Sequence, residues 1–173
     1  MIRLEKYYSN IHLRYTVSFF FGLTLSIILN DIPLFAAPLE AVLMNSGYQV
    51  MLSKLTVLHL NIFGVPAFLS NNQIVVGERS FYFAYGCLGI RHLTLFAGFI
   101  LVYFGQFYQK LKFIVMGFFI LTLANISRAT IIGIAIRINP SWFDLAHEYG
   151  SMLILYTTIF LLWIIWSKKT KGL

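Results

Sequence analysis

Three residues of this 173-residue chain have side chains that can do covalent chemistry together: Cys87, Arg128 and His147. Cys87 is the only cysteine, in "FAYGCLGIRHL", where a polar stretch turns into a long apolar one. A lone cysteine is commonly a small buried apolar residue. Its position supports a second reading: a helix starts just after it, and the exposed N–H groups and dipole of a helix start stabilise a thiolate. Gly86 and Gly89 leave room for a substrate or another backbone to approach. Arg128 lies inside the apolar run "LANISRATIIGIAI", where a mid-bilayer charge costs about 2.5–3.5 kcal/mol on insertion scales. An arginine near the surface can snorkel to the headgroups. Arg137 fits that description, whereas Arg128, about two and a half turns deeper, fits it poorly. Asn125 is at i−3 from Arg128, on the same helical face, and can orient the guanidinium. His147 opens another apolar run in "DLAHEYGSM". Taken alone it is an interfacial histidine, with Gly150 and Ser151 forming a small-residue face of the kind that lets helices pack closely. A thiolate attacking a carbonyl, an imidazole managing protons and a guanidinium stabilising thiolate or oxyanion make a coherent set for acyl transfer.

These residues must be held at one depth. Hydrophobic residues make up 59% of the chain and charged residues 11%, against about 25% charged in a soluble domain. This composition predicts an all-α polytopic membrane protein, read as one domain over residues 1–173. The net charge of +7 reflects basic residues clustered beside apolar runs, a topology signal that does not imply nucleic acid. One cysteine excludes an intrachain disulfide, and no Cys/His spacing suits a metal; no cofactor is expected. Four spans are expected: Tyr15–Leu29 as a retained signal anchor, His92–Tyr108 starting from Leu88, Phe113–Ile138, and Ser151–Trp166 starting near His147. Trp163 and Trp166 would mark an interfacial end. Arg3, Lys6 and Arg14, then Lys110 and Lys112, then Lys168, Lys169 and Lys171 would face the cytoplasm by the positive-inside rule. Residues 66–87 and 139–147 would then face outward, and about sixteen residues of helix separate Lys112 from Arg128, roughly 24 Å. That arithmetic puts Cys87, Arg128 and His147 near one membrane face.

Residues 34–69 are moderately apolar but interrupted by Glu40, Lys54 and His59. They are read as one or two amphipathic helices on the outer surface or re-entrant there, with a pair of short spans as the alternative. Between them and the cysteine, Ile74–Val76 and Phe81–Tyr85 are β-formers flanking Gly77-Glu78-Arg79-Ser80, which predicts a small hairpin. Glu78 and Arg79 at its turn are read as solvated, with substrate contact as the other reading.

The motifs around these residues resemble those of the exosortase/archaeosortase family, membrane-embedded cysteine transpeptidases of PEP-CTERM-type protein sorting. Cys87-Leu88-Gly89-Ile90-Arg91 is similar to the family's Cys-Ser-Gly motif followed by an apolar residue and arginine, with Leu88 in the serine's place. Asn125-Ile126-Ser127-Arg128 matches Asn-x-x-Arg within a span, and His147-Glu148-Tyr149-Gly150 resembles the histidine motif. "GVPAFLSNNQIVV" looks like the segment that precedes the family's cysteine. The resemblance covers about residues 50–160. It implies Cys87, Arg128 and His147 as catalytic, with Asn125, Gly89, Arg91, Glu148 and Gly150 supporting. It implies a multi-pass protein of a prokaryotic cytoplasmic membrane, acting at the outer face on exported proteins. Their C-terminal tail would be tripartite: a motif, a membrane helix and a basic end. Cleavage through a thioester would be followed by transfer to a surface glycan or lipid acceptor. Three other readings stay open: a hydrolytic intramembrane protease, a non-enzymatic component of polysaccharide export whose Arg128 binds anionic lipid, and a degenerate scaffold, which Leu88 would suit.

Overall fold

The computed structural model describes residues 11–170, and of Ile11, Ser151 and Met152 the main chain only. Arg3, Lys6 and Lys171, and the side chain of Ser151, lie outside the described residues. The order is α1 (Ile11–Asp31), α2 (Pro33–Asn45), α3 (Tyr48–Ile62), β1 (Ala67–Ser70), β2 (Gln73–Val76), β3 (Arg79–Phe81), a 3-10 turn (Tyr85–Cys87), α4 (Ile90–Val102), α5 (Phe107–Ile138), a second 3-10 turn (Pro140–Trp142) and α6 (Phe143–Thr170). The all-α membrane class stands, with a small sheet on it.

Three of the helices, α1, α5 and α6, are long and apolar enough to cross a membrane. The expected second span is a shorter helix: α4 has 13 residues, about 20 Å against a hydrocarbon core of about 30 Å. It stops because Tyr103 turns extended and Gly105 takes φ +137 beside Trp166, where a Cβ would come within 2.8 Å of the indole. The chain restarts at Phe107, six residues before the expected start at Phe113, and runs for 32 residues. This geometry also corrects the reading of the tryptophans. Trp163 stacks on Phe99 at 4.4 Å and Trp166 packs on Phe113 at 4.9 Å. Both are inside the bundle and do not anchor an interface.

Small residues set the tightest crossing. A Cβ on Gly98 of α4 would lie 2.7 Å from Gly22 Cα of α1, so only glycines permit that backbone approach. Two apolar cores lie along α5. One joins α4, α5 and α6 through Phe96, Phe99, Phe113, Ile159 and Trp166. The other joins α3, the sheet and α5 through Leu52, Leu60, Ile74, Val76 and Ile126.

Residues 34–69 contain two helices and a strand. No residue of α2 is buried. Along α3 a buried stripe runs through Gln49, Leu52, Ser53, Thr56 and Leu60, the helical spacing that packs one face. Its hydroxyls are satisfied internally, Ser53 donating to Gln49 O at 3.0 Å and Thr56 to Leu52 O at 2.8 Å. So α3 is amphipathic, packed by one face against α5 and the sheet while Met51, Lys54, Leu55 and Leu58 are exposed on the other. The expected hairpin is a three-stranded antiparallel meander, β1-β2-β3. The unforeseen strand β1 pairs with β2 around Asn71-Asn72, both at positive φ (48 and 63); a type I′ turn demands that conformation and Asn tolerates it. Pairing with β2 ends at Phe81, short of the expected Tyr85.

Three of the basic residues, Arg14, Lys112 and Lys169, come from three helices to one end of the bundle. Arg14 sits over Phe104, Lys112 over Tyr108 and Lys169 over Trp166. The other end of α5 meets the sheet, where Gly77 abuts Arg137.

Candidate active site

Cys87 closes the 3-10 turn after the sheet: its N–H donates to Ala84 O at 2.8 Å, and Leu88 N–H donates to Tyr85 O at 3.1 Å. Gly89 follows at φ +82, capping α4 in the left-handed region. There a side chain is strained, and a Cβ would lie 3.2 Å from Asn125 Nδ2. That close approach lets Asn125 reach the cysteine's backbone. Its Nδ2 donates to Cys87 O at 2.9 Å, and its Oδ1 accepts from Arg128 Nη1 at 3.1 Å. Asn125 and Arg128 are one turn apart on α5 and are 1% and 5% exposed. The arginine is therefore buried, and it does not snorkel. Its Nε is buried without a partner, and among the described residues Asn125 is its only hydrogen-bond partner. Arg137, by contrast, is exposed.

His147 comes from the first turns of α6. Its Nε2 lies 3.4 Å from Cys87 Sγ, within hydrogen-bond reach for sulfur. Phe143, one turn earlier, stacks on the imidazole at 5.5 Å between centroids and 19° between planes, which fixes the ring's orientation. Cys87, Arg128 and His147 are thus brought together from three elements, and they line two cavities. One, of about 280 Å³, is walled by residues 80–84, Ala129, Ile132 and Phe143. The other, of about 440 Å³, is lined by Gly86, His92, Asp144, Glu148 and Tyr156. A nucleophile within reach of an imidazole, beside a buried cation with unused donors, is equipped for acyl transfer.

The remaining expected site residues divide. Glu148 faces the second cavity. Arg91 turns away, pairing with Asp31 of α1, while its carbonyl accepts from Ser26 Oγ at 3.0 Å. It ties α4 to α1 and does not line either cavity. Gly150 has open space around it, so it does not mediate close helix packing. Glu78 and Arg79 hold the β2–β3 turn and line neither cavity. Leu88, in the serine's place, is 1% exposed in the apolar core. The side chain at that position points away from the sulfur's cavities.

Sequence reasoning missed His92. It lines the second cavity on the first turn of α4, edge-on to Tyr156 at 5.0 Å, with its Nδ1 buried and unpartnered. Its spacing, five residues after Cys87, was the available signal, but it was absorbed into an apolar span. Among the described residues no cluster of three His, Cys, Asp or Glu side chains could hold a metal ion.

No curated protein and no solved structure matches the chain. Residues 16–164 match the family described as transmembrane exosortase (Exosortase_EpsH). That match takes in Cys87, Arg128 and His147, and the chain belongs to the transmembrane exosortase family.

Proposed function

We propose that this exosortase-family protein is a cysteine transpeptidase. It would cleave the C-terminal sorting tail of exported proteins at the outer face of a prokaryotic cytoplasmic membrane and pass them to a surface glycan or lipid acceptor. The observation that carries this reading is the 3.4 Å separation of Cys87 Sγ and His147 Nε2 at a cavity shared with buried Arg128. Cys87 gives its proton to His147, and the thiolate adds to the scissile carbonyl. Arg128 stabilises the resulting oxyanion, and Asn125 holds both Arg128 and the cysteine's backbone in register. Collapse breaks the C–N bond. The imidazolium protonates the departing amine, and a thioester remains on Cys87. The acceptor's amine or hydroxyl then attacks that thioester, its proton passes to His147, and the thiolate leaves. The two cavities suit the two halves: the apolar one for the peptide, the more polar one for the incoming nucleophile. Leu88's place in the core favours catalysis over a degenerate scaffold, since a serine hydroxyl there would not face the reacting atoms.

The test is substitution of the nucleophile. Cys87→Ala and Cys87→Ser should both abolish tail processing at unchanged protein level, because a hydroxyl near neutral pH is a far poorer nucleophile than a thiolate. Normal processing in either would remove the cysteine mechanism. Product mass with and without acceptor separates transfer from hydrolysis.

A further inference from the structure

The strand that walls the cysteine's cavity has a free edge. In the order β1-β2-β3, nothing pairs with the far side of β3. The two-residue turn Gly77-Glu78 joins Val76 to Arg79, which makes those two a mutually hydrogen-bonded pair. Antiparallel pairs alternate, so Ser80, opposite Val75, turns its N–H and C=O away from β2 and toward the free edge. The alternation continues past the strand. Phe83 turns inward, its carbonyl accepting from Gln49 Nε2 at 2.9 Å, and Tyr82 between them has no main-chain hydrogen-bond partner among the described residues. Ser80 through Ala84 line the apolar cavity, which ends at Cys87 and His147. Arg128, 5% exposed and with an unpartnered Nε, faces the same cavity.

We propose that this edge is the substrate-docking strand: a sorting-tail segment binds in extended conformation, adds a fourth strand beside Ser80 and Tyr82, and so brings its scissile carbonyl to Cys87. The proposal deepens the transpeptidase reading and rests on it. Unpaired backbone groups at a membrane face are costly unless a ligand pairs with them. A peptide main chain supplies both donors and acceptors at strand spacing, whereas an acyl chain supplies neither. From Ser80 to Ala84 is about 13 Å of extended chain, the length of three to four substrate residues. Side chains alternating off that strand would meet Phe81, Ala129, Ile132 and Phe143, so the segment's inward positions are expected to be small or apolar.

The experiment uses full-length enzyme in vesicles of polar lipid. Its probe is a synthetic copy of the tail of an exported protein encoded in the same genome. N-methylation is scanned across the four residues before the scissile bond. Strand pairing predicts that alternate positions lower kcat/KM roughly tenfold while the intervening ones are tolerated. Ser80→Pro removes an edge-facing N–H at a place where a strand accepts proline, and KM should rise roughly five- to tenfold. The rate of Cys87 alkylation by iodoacetamide, which needs no docking strand, should stay as in wild type. Uniform tolerance of N-methylation, or an unchanged KM in Ser80→Pro, overturns the docking strand. Processing by Cys87→Ala enzyme overturns the transpeptidase reading itself, and the docking strand with it.

Discussion

Replacing Arg128 by lysine tests whether this buried cation is an anchor or a participant. Arg128 is 5% exposed, and one of its two terminal nitrogens is committed to Asn125 Oδ1 at 3.1 Å. The rest of the planar fork remains for a ligand in the cavities it lines. Lysine has a single nitrogen. It can keep the Asn125 bond or reach the oxyanion, and its point charge does not reproduce the fork. The charge itself is retained, so the cost of placing it in the membrane is nearly the same and insertion should be normal. Loss of one oxyanion donor costs about 10²–10³ in rate, equivalent to about 2.7–4 kcal/mol. Arg128→Lys should therefore process substrate at least about a hundredfold more slowly at matched enzyme level. Exposed Arg137→Lys should be near neutral. The assay follows the ratio of processed to unprocessed tail-bearing protein over time. Near wild-type processing in Arg128→Lys would refute the role of the guanidinium and leave only its charge to explain.

Gly89→Ala should impair processing and lower stability by about 1–2 kcal/mol, because the left-handed backbone strains any side chain and the new methyl presses on Asn125; a thermal melt in detergent alongside the processing assay reads both, and unchanged values would remove the Asn125–Cys87 clamp from the argument. Gly98→Leu, which would drive a side chain into the α1 backbone, should lower the melting temperature or prevent accumulation, while Gly150→Ala, in open space, should be silent; equal behaviour of the two would contradict the α1–α4 crossing. In a Cys87→Ala background, an impermeant thiol reagent applied to intact cells should label cysteines placed at Asn72 and Asn139 but not at Lys169, and the reverse pattern would invert the proposed orientation.

The membrane class and the three long helices were legible in the sequence because hydropathy over some twenty residues is a local property, and a backbone in hydrocarbon has few options other than helix. Asn125 and Arg128 could be paired on paper for the same reason: three residues apart on a helix is a fixed geometry. Cys87, Arg128 and His147 could be shortlisted because each is costly or unusual in an apolar run. Their distances could not be read, since they sit on three elements whose packing depends on contacts between distant segments. The same reason explains what local reading got wrong. Trp163 and Trp166 suit an interface by type, but α4 ends early at Val102, Gly105 lets the Trp166 indole in beside it and Trp163 stacks on Phe99, so both rings are buried. Arg91 stands in a cysteine motif, yet Asp31, sixty residues earlier, draws it to α1. His92 looks like the start of a span until the fold sets it in a cavity with Cys87 and His147. Composition and periodicity determined what kind of chain this is and which side chains could react. Only the tertiary structure decided which of them meet, because a contact between remote residues is settled by how helices and sheet pack, and no single segment encodes it.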